Sequence, residues 1–83
     1  MDKQSILDEL LALLEQGGVS VRSDALGGGG GGLCKMKDEF VFFVDTESSA
    51  VENAEHCARA VAELVELETV YIRPEVREFI ENI

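Results

Sequence analysis

The residues of this chain that could do chemistry are few. One histidine, His56, stands beside one of two cysteines, Cys57, and the other cysteine, Cys34, follows six consecutive glycines, Gly27 to Gly32. A cysteine–histidine nucleophile pair needs both groups within hydrogen-bond reach, whereas adjacent positions of a helix point about 100° apart. His56 is thus expected toward solvent and Cys57 toward the core. A single histidine and two cysteines without a CxxC spacing supply neither a zinc ligand set nor a redox motif, so no metal site is expected. Glu55, Arg59 and Glu63 recur every four residues, which predicts ion pairs on a solvated helix face and not acid–base work.

The glycine run is the feature most in need of explanation. Glycine-rich loops cradle phosphate when their N–H groups converge at a helix N-terminus, usually with a Lys, Ser or Thr close by. Here the glycines lead into Leu33-Cys34, an expected strand, and lack a GK[ST] ending, which argues against a nucleotide. Two readings remain: a mobile surface loop, or a backbone that approaches another chain closely, for instance a peptide docked edge to edge. Gly27, Gly28, Gly29, Gly30, Gly31, Gly32 and Cys34 form the candidate binding loop.

The elements that would position these residues centre on Phe40-Val41-Phe42-Phe43-Val44, which reads as a strand apolar on both faces. Ahead of the glycines, Ile6, Leu7, Leu10, Leu11, Leu13 and Leu14 recur at helical spacing after possible caps in Asp2 to Ser5, and Gly17-Gly18 ends that helix. Val19-Ser20-Val21-Arg22 alternates as a short strand with its valines inward. Leu33 to Lys37 alternates too, Cys34 and Met36 on one face, and forms a hairpin with the apolar strand through Asp38-Glu39. Ser49-x-x-Glu52 is a capping box that opens a second helix with Ala54, Cys57, Ala58, Val61, Leu64 and Val65 in one stripe. Thr69 to Arg73 is rich in β-formers and predicts a final strand, which would make Phe40 to Ile72 a strand-helix-strand crossover. Pro74 then starts a C-terminal helix with Val76, Phe79, Ile80 and Ile83 on its apolar side.

The expected fold is therefore a single α+β domain over residues 1–83, a mixed sheet of three or four strands with three helices in the order α-β-β-β-α-β-α. The first two helices are expected on one sheet face, while the third either covers the other face or leaves it for a partner. With 83 residues, 46% hydrophobic and 29% charged, the composition is globular and near the size where one core gives little net stability alone. A net charge of −10 disfavours nucleic acid and anionic membrane surfaces as partners. No apolar run is long enough to cross a bilayer and no leader pattern precedes the first helix, so a cytoplasmic protein with reduced thiols is expected.

The hairpin followed by Arg59-Ala60-Val61-Ala62-Glu63-Leu64-Val65-Glu66 resembles the strand and active helix of zincin-type metallopeptidases, whose helix carries HExxH. Only Glu63 matches; Ala62 and Glu66 stand where the histidine ligands would be, so the resemblance implies a related shell without metal or peptidase chemistry. The whole chain, with its glycines before Leu33-Cys34 and its closing Tyr71-Ile72-Arg73-Pro74-Glu75-Val76-Arg77, also resembles small uncharacterised bacterial proteins, which offer no activity to transfer.

The functional expectation is a non-enzymatic protein–protein interaction module, a homodimer whose interface uses a sheet face or edge near the glycine loop, with no cofactor. The alternative is a small-molecule-binding or catalytic protein that uses Gly27 to Gly32 and Cys34.

Overall fold

A computed structural model describes residues 1–83 and gives the order α1 (Lys3–Gln16), β1 (Ser20–Asp24), β2 (Gly32–Met36), β3 (Glu39–Asp45), α2 (Ala50–Leu64) and α3 (Pro74–Glu81). It is an α+β fold with three helices and a three-stranded mixed sheet in the spatial order β1-β3-β2. The apolar strand β3 is the centre, parallel to β1 and antiparallel to β2. β1 and β2 thus run opposite to each other with β3 inserted between them. The connection that joins them, Ala25 to Gly31, has to pass the C-terminal end of β3.

Both long helices begin at side-chain caps. Asp2 accepts from the Ser5 N–H at 2.8 Å, and the Ser49–Glu52 box closes reciprocally as the sequence predicts. α1 and α2 pack on each other and on the same side of the sheet, with Ile6, Leu7, Leu10, Leu13, Leu14, Ala54, Cys57, Ala58 and Val61 in one core around Phe42. Phe42 has no exposed surface, and its truncation to alanine would cost about 3–5 kcal/mol. Alternation along β3 sends Phe40, Phe42 and Val44 into this core, and sends Val41 and Phe43 to the other side. α3 packs on α1 and α2 and touches no strand. The face bearing Val41 and Phe43 therefore has no helix over it, and the molecule measures 32 × 31 × 17 Å, broad and two layers thick.

The fourth strand is absent. After α2, the Thr69 N–H and hydroxyl both bond the Glu66 carbonyl, so the chain turns where β-propensity predicts extension. Leu67 and Val70 pack against the helical core, Ile72 is buried there, and Tyr71 is left 82% exposed. The segment spends its apolar side chains on the helices and not on the sheet, so tertiary packing overrides propensity and no strand-helix-strand crossover forms. The hairpin turn also falls one residue earlier than expected. Met36 pairs with Glu39 across a two-residue turn, Lys37-Asp38, in which Lys37 takes φ +57°.

Candidate functional site

The glycine loop is built onto Asp45, the last residue of β3. Carried to the strand end by the ladder, the Asp45 side chain is fully buried, and its two oxygens are saturated with donors. Oδ1 accepts from the N–H groups of Leu26 at 3.0 Å and Glu47 at 2.9 Å. Oδ2 accepts from the N–H groups of Gly28 at 2.8 Å and Gly30 at 3.2 Å and from the Ser48 hydroxyl at 3.1 Å. The Gly30 N–H is shared with Ser48 Oγ at 2.7 Å, and the Gly27 N–H goes to Glu47 Oε1 at 2.7 Å. Burial raises the pKa of Asp45, but the N–H groups of Glu47 and Leu26, the Ser48 hydroxyl and the Gly28 N–H outweigh it and hold the group down at about 2. The carboxylate is ionised and sits in a nest of backbone donors of the kind that elsewhere holds a phosphate.

The glycines are required by this path at particular positions. Gly27, Gly28 and Gly30 have φ near +90°, where an L side chain is strained. A Cβ on Gly30 would also lie 2.6 Å from Nε2 of His56, and one on Gly31 would fall inside the carbonyl group of Phe43. Gly29 and Gly32 have neither constraint. The run is thus a backbone laid closely against its own strand, and the reading of a mobile surface loop gives way to a loop tied by its amides.

Asn53, in the first turns of α2, completes the arrangement. Its Oδ1 accepts from the Asp45 N–H at 2.9 Å, and its Nδ2 donates to the Asp45 carbonyl at 2.8 Å and the Ser49 carbonyl at 3.3 Å. A side-chain amide here supplies the rung that a further strand would have supplied. Neither Asp45 nor Asn53 stood out in the sequence as more than strand-end and helix residues. The available signal was the glycine run itself, because amides freed by left-handed glycines need an acceptor, but Asp24 lies nearer along the chain and nothing in the sequence selects Asp45.

The other chemistry-bearing residues are dispersed. Cys57 is fully buried, and burial pushes its thiol up to about 12. His56 does not stand clear in solvent as expected; it is half-buried, with its ring against Gly30, because the loop crosses over the start of α2. Cys34 is exposed, opposite Val41 in the middle of β2, beyond the loop amides. The expected ion pairs around Arg59 do not form; the salt bridges are the Met1 amino group with Glu75 at 2.7 Å and Arg73 with Glu9 at 3.1 Å. Glu63 is exposed near the end of α2, and Glu66 lies beyond it. The amides of Leu26, Gly27, Gly28 and Gly30 are already paired within the chain, so they are not free to receive an external anion.

The second candidate surface is the helix-free sheet face. Val41 and Phe43 run along its middle, flanked through the register by Ser20 and Arg22 on β1 and by Cys34 on β2. Ser20, Arg22, Met36, Lys37, Glu39 and Val41 line a shallow hollow there. Residues 20–45 carry three cations, Arg22, Lys35 and Lys37, against Asp24, Asp38, Glu39 and the internally paired Asp45, so the sheet and its connections taken together are close to neutral. Most of the negative charge belongs to the helical layer.

No helix of the structure is long and apolar enough to cross a membrane, and no group of three or more His, Cys, Asp or Glu residues is placed to hold a metal ion. In comparison with known proteins, no family model, curated protein or solved structure matches the chain.

Proposed function

We propose that this protein is a non-enzymatic interaction module that associates with a second copy of itself through its sheet, by the helix-free face or an outer edge beside it. The observation that carries this reading is that β3 is apolar on both faces while the helices cover one, so that on the other side Val41 is only 6% exposed and Phe43 half-buried under their own neighbours, with Cys34 exposed and Met36 half-exposed beside them at the β2 edge. A small domain with one core gains from adding a second copy where its sheet is left open. The near-neutral charge of the sheet segment as a whole lowers the repulsion between two chains of net charge −10 that meet there.

The test is light scattering after size exclusion, at two protein concentrations, of the wild type and of Met36→Asp. Met36 is 50% exposed, so the fold tolerates the change while an added carboxylate opposes association. A dimer for the wild type and a monomer for Met36→Asp are expected. A wild-type monomer at both concentrations would refute the proposal.

A further inference from the structure

The two outer edges of the sheet differ in a way that selects one of them for self-association. We infer that β2 pairs antiparallel with β2 of a second copy about a two-fold axis at Cys34, joining two three-stranded sheets into one of six strands. The inference rests on the proposed self-association and specifies where it occurs.

Both β1 and β2 have only β3 as a neighbour, so each presents an unpaired edge. An isologous pairing of β1 about its middle residue would set Arg22 against Arg22 of the other copy, and like charges directly opposite are destabilising. The same operation on β2 sets Gly32 against Met36, Leu33 against Lys35, and Cys34 against its counterpart. No carboxylate lies on β2, in a chain that carries 17 acidic residues, and no like charges meet. Lys35 does not guard the edge by standing off it, because its ammonium lies 5.6 Å from the centre of the Phe40 ring in its own sheet.

The hairpin also fixes which backbone groups face outward. In a two-residue hairpin the residues flanking the turn form a hydrogen-bonded pair. Alternation from Met36–Glu39 then makes Cys34–Val41 a hydrogen-bonded pair as well. The outward N–H and C=O groups therefore belong to Leu33 and Lys35, and Cys34 meets its counterpart at a non-hydrogen-bonded position. Side chains approach most closely there, within reach of disulfide geometry. The helix-free faces of the two sheets become one continuous face, with the paired cysteines at its centre, and the pairing itself covers the β2 edge and not that face.

The experiment is oxidation of the native protein with diamide, which removes two electrons and two protons from a pair of thiols, followed by non-reducing electrophoresis and native mass spectrometry. A Cys34–Cys34 linked dimer is expected, at a yield unchanged by a several-fold excess of a second protein bearing one exposed thiol. Lys35→Pro removes an N–H that the ladder to β3 does not use, and should abolish both the cross-link and the dimer. Cys34→Asp sets two carboxylates opposite each other at an exposed position, and tests the same contact should the proline variant not fold. Cys34→Ser should lose the cross-link and keep the dimer. A wild-type dimer whose Cys34 does not cross-link, or one that persists in Cys34→Asp, overturns this pairing and leaves self-association standing; a wild-type monomer overturns both.

Discussion

Asn53 reads Asp45 as a strand would, accepting from its N–H at 2.9 Å and donating to its carbonyl at 2.8 Å. The backbone of Asp45 is thereby held by a helix while its side chain holds the glycine loop, so one residue couples β3, α2 and the β1–β2 connection. Removing the amide in Asn53→Ala leaves a buried donor and acceptor of Asp45 unpaired, a loss of about 1–3 kcal/mol. Urea unfolding should report that loss, and hydrogen exchange should show the Asp45 amide opening faster. An unchanged midpoint would mean that water replaces the amide without cost.

The glycines should separate into two groups on alanine substitution. Gly29→Ala and Gly32→Ala meet open space at ordinary φ, and should leave stability unchanged or raise it by up to about 1 kcal/mol through the unfolded chain. Gly30→Ala combines φ +84° with a collision at His56, and should cost more than about 1 kcal/mol. Gly31→Ala drives a methyl group into the Phe43 carbonyl and should cost most, because backbone and not a flexible side chain has to move. Equal effects across the four variants would contradict a loop laid on Asp45.

Asp45 has a pKa near 2 in the fold against an ordinary 3.8, so its folded-state value is depressed. The stability it confers is full above the ordinary value and is lost as pH falls through about 4 toward 2, when the nest must accept a protonated group. Asp2 and Glu75 are depressed as well, by their bonds to Ser5 and to the Met1 amino group, and add to acid sensitivity. Their share cancels in the difference between wild type and Asp45→Asn. That difference should shrink as pH is lowered from 5 to 2 in urea unfolding; a difference independent of pH would mean that Asp45 is not held as an anion.

Much of the architecture is legible from local pattern, and its limits have physical causes. The 3.6-residue period of Ile6 to Leu14, the Ser49–Glu52 box and the apolar run of β3 each specify an element from residues near one another, and all three form. Thr69 to Arg73 misleads because β-branched residues favour extension only where a sheet is there to receive them, and the helices receive Ile72 instead. The nest could not be read, since it depends on β1 and β3 ending together, Asp24 beside Asp45, which is a matter of register. The glycines announced that something had to hold them; only the topology identifies it as Asp45.

Lys37 holds φ +57° at the hairpin tip, a conformation that suits glycine. Lys37→Gly should therefore stabilise the fold by a few tenths to about 1 kcal/mol in thermal or urea unfolding. A loss of stability would show that the lysine side chain makes a contribution larger than its backbone strain.

Cys34 and Cys57 should differ sharply toward a thiol reagent. Cys34 is exposed and should react in the native protein, whereas Cys57, fully buried with its thiol pushed up to about 12, should react only on unfolding. One equivalent under native conditions and two in denaturant is the expected count. Two fast equivalents in the native state would mean that the α1–α2 core opens readily.

The central claim is that two copies meet at the open sheet, by its helix-free face or its β2 edge. Native mass spectrometry of the untagged protein across a dilution series tests it most directly, since it reads subunit number and any retained mass together. The account predicts a dimer of bare chains that dissociates on dilution. A bare monomer at every concentration, or a monomer carrying a bound small molecule, would contradict it.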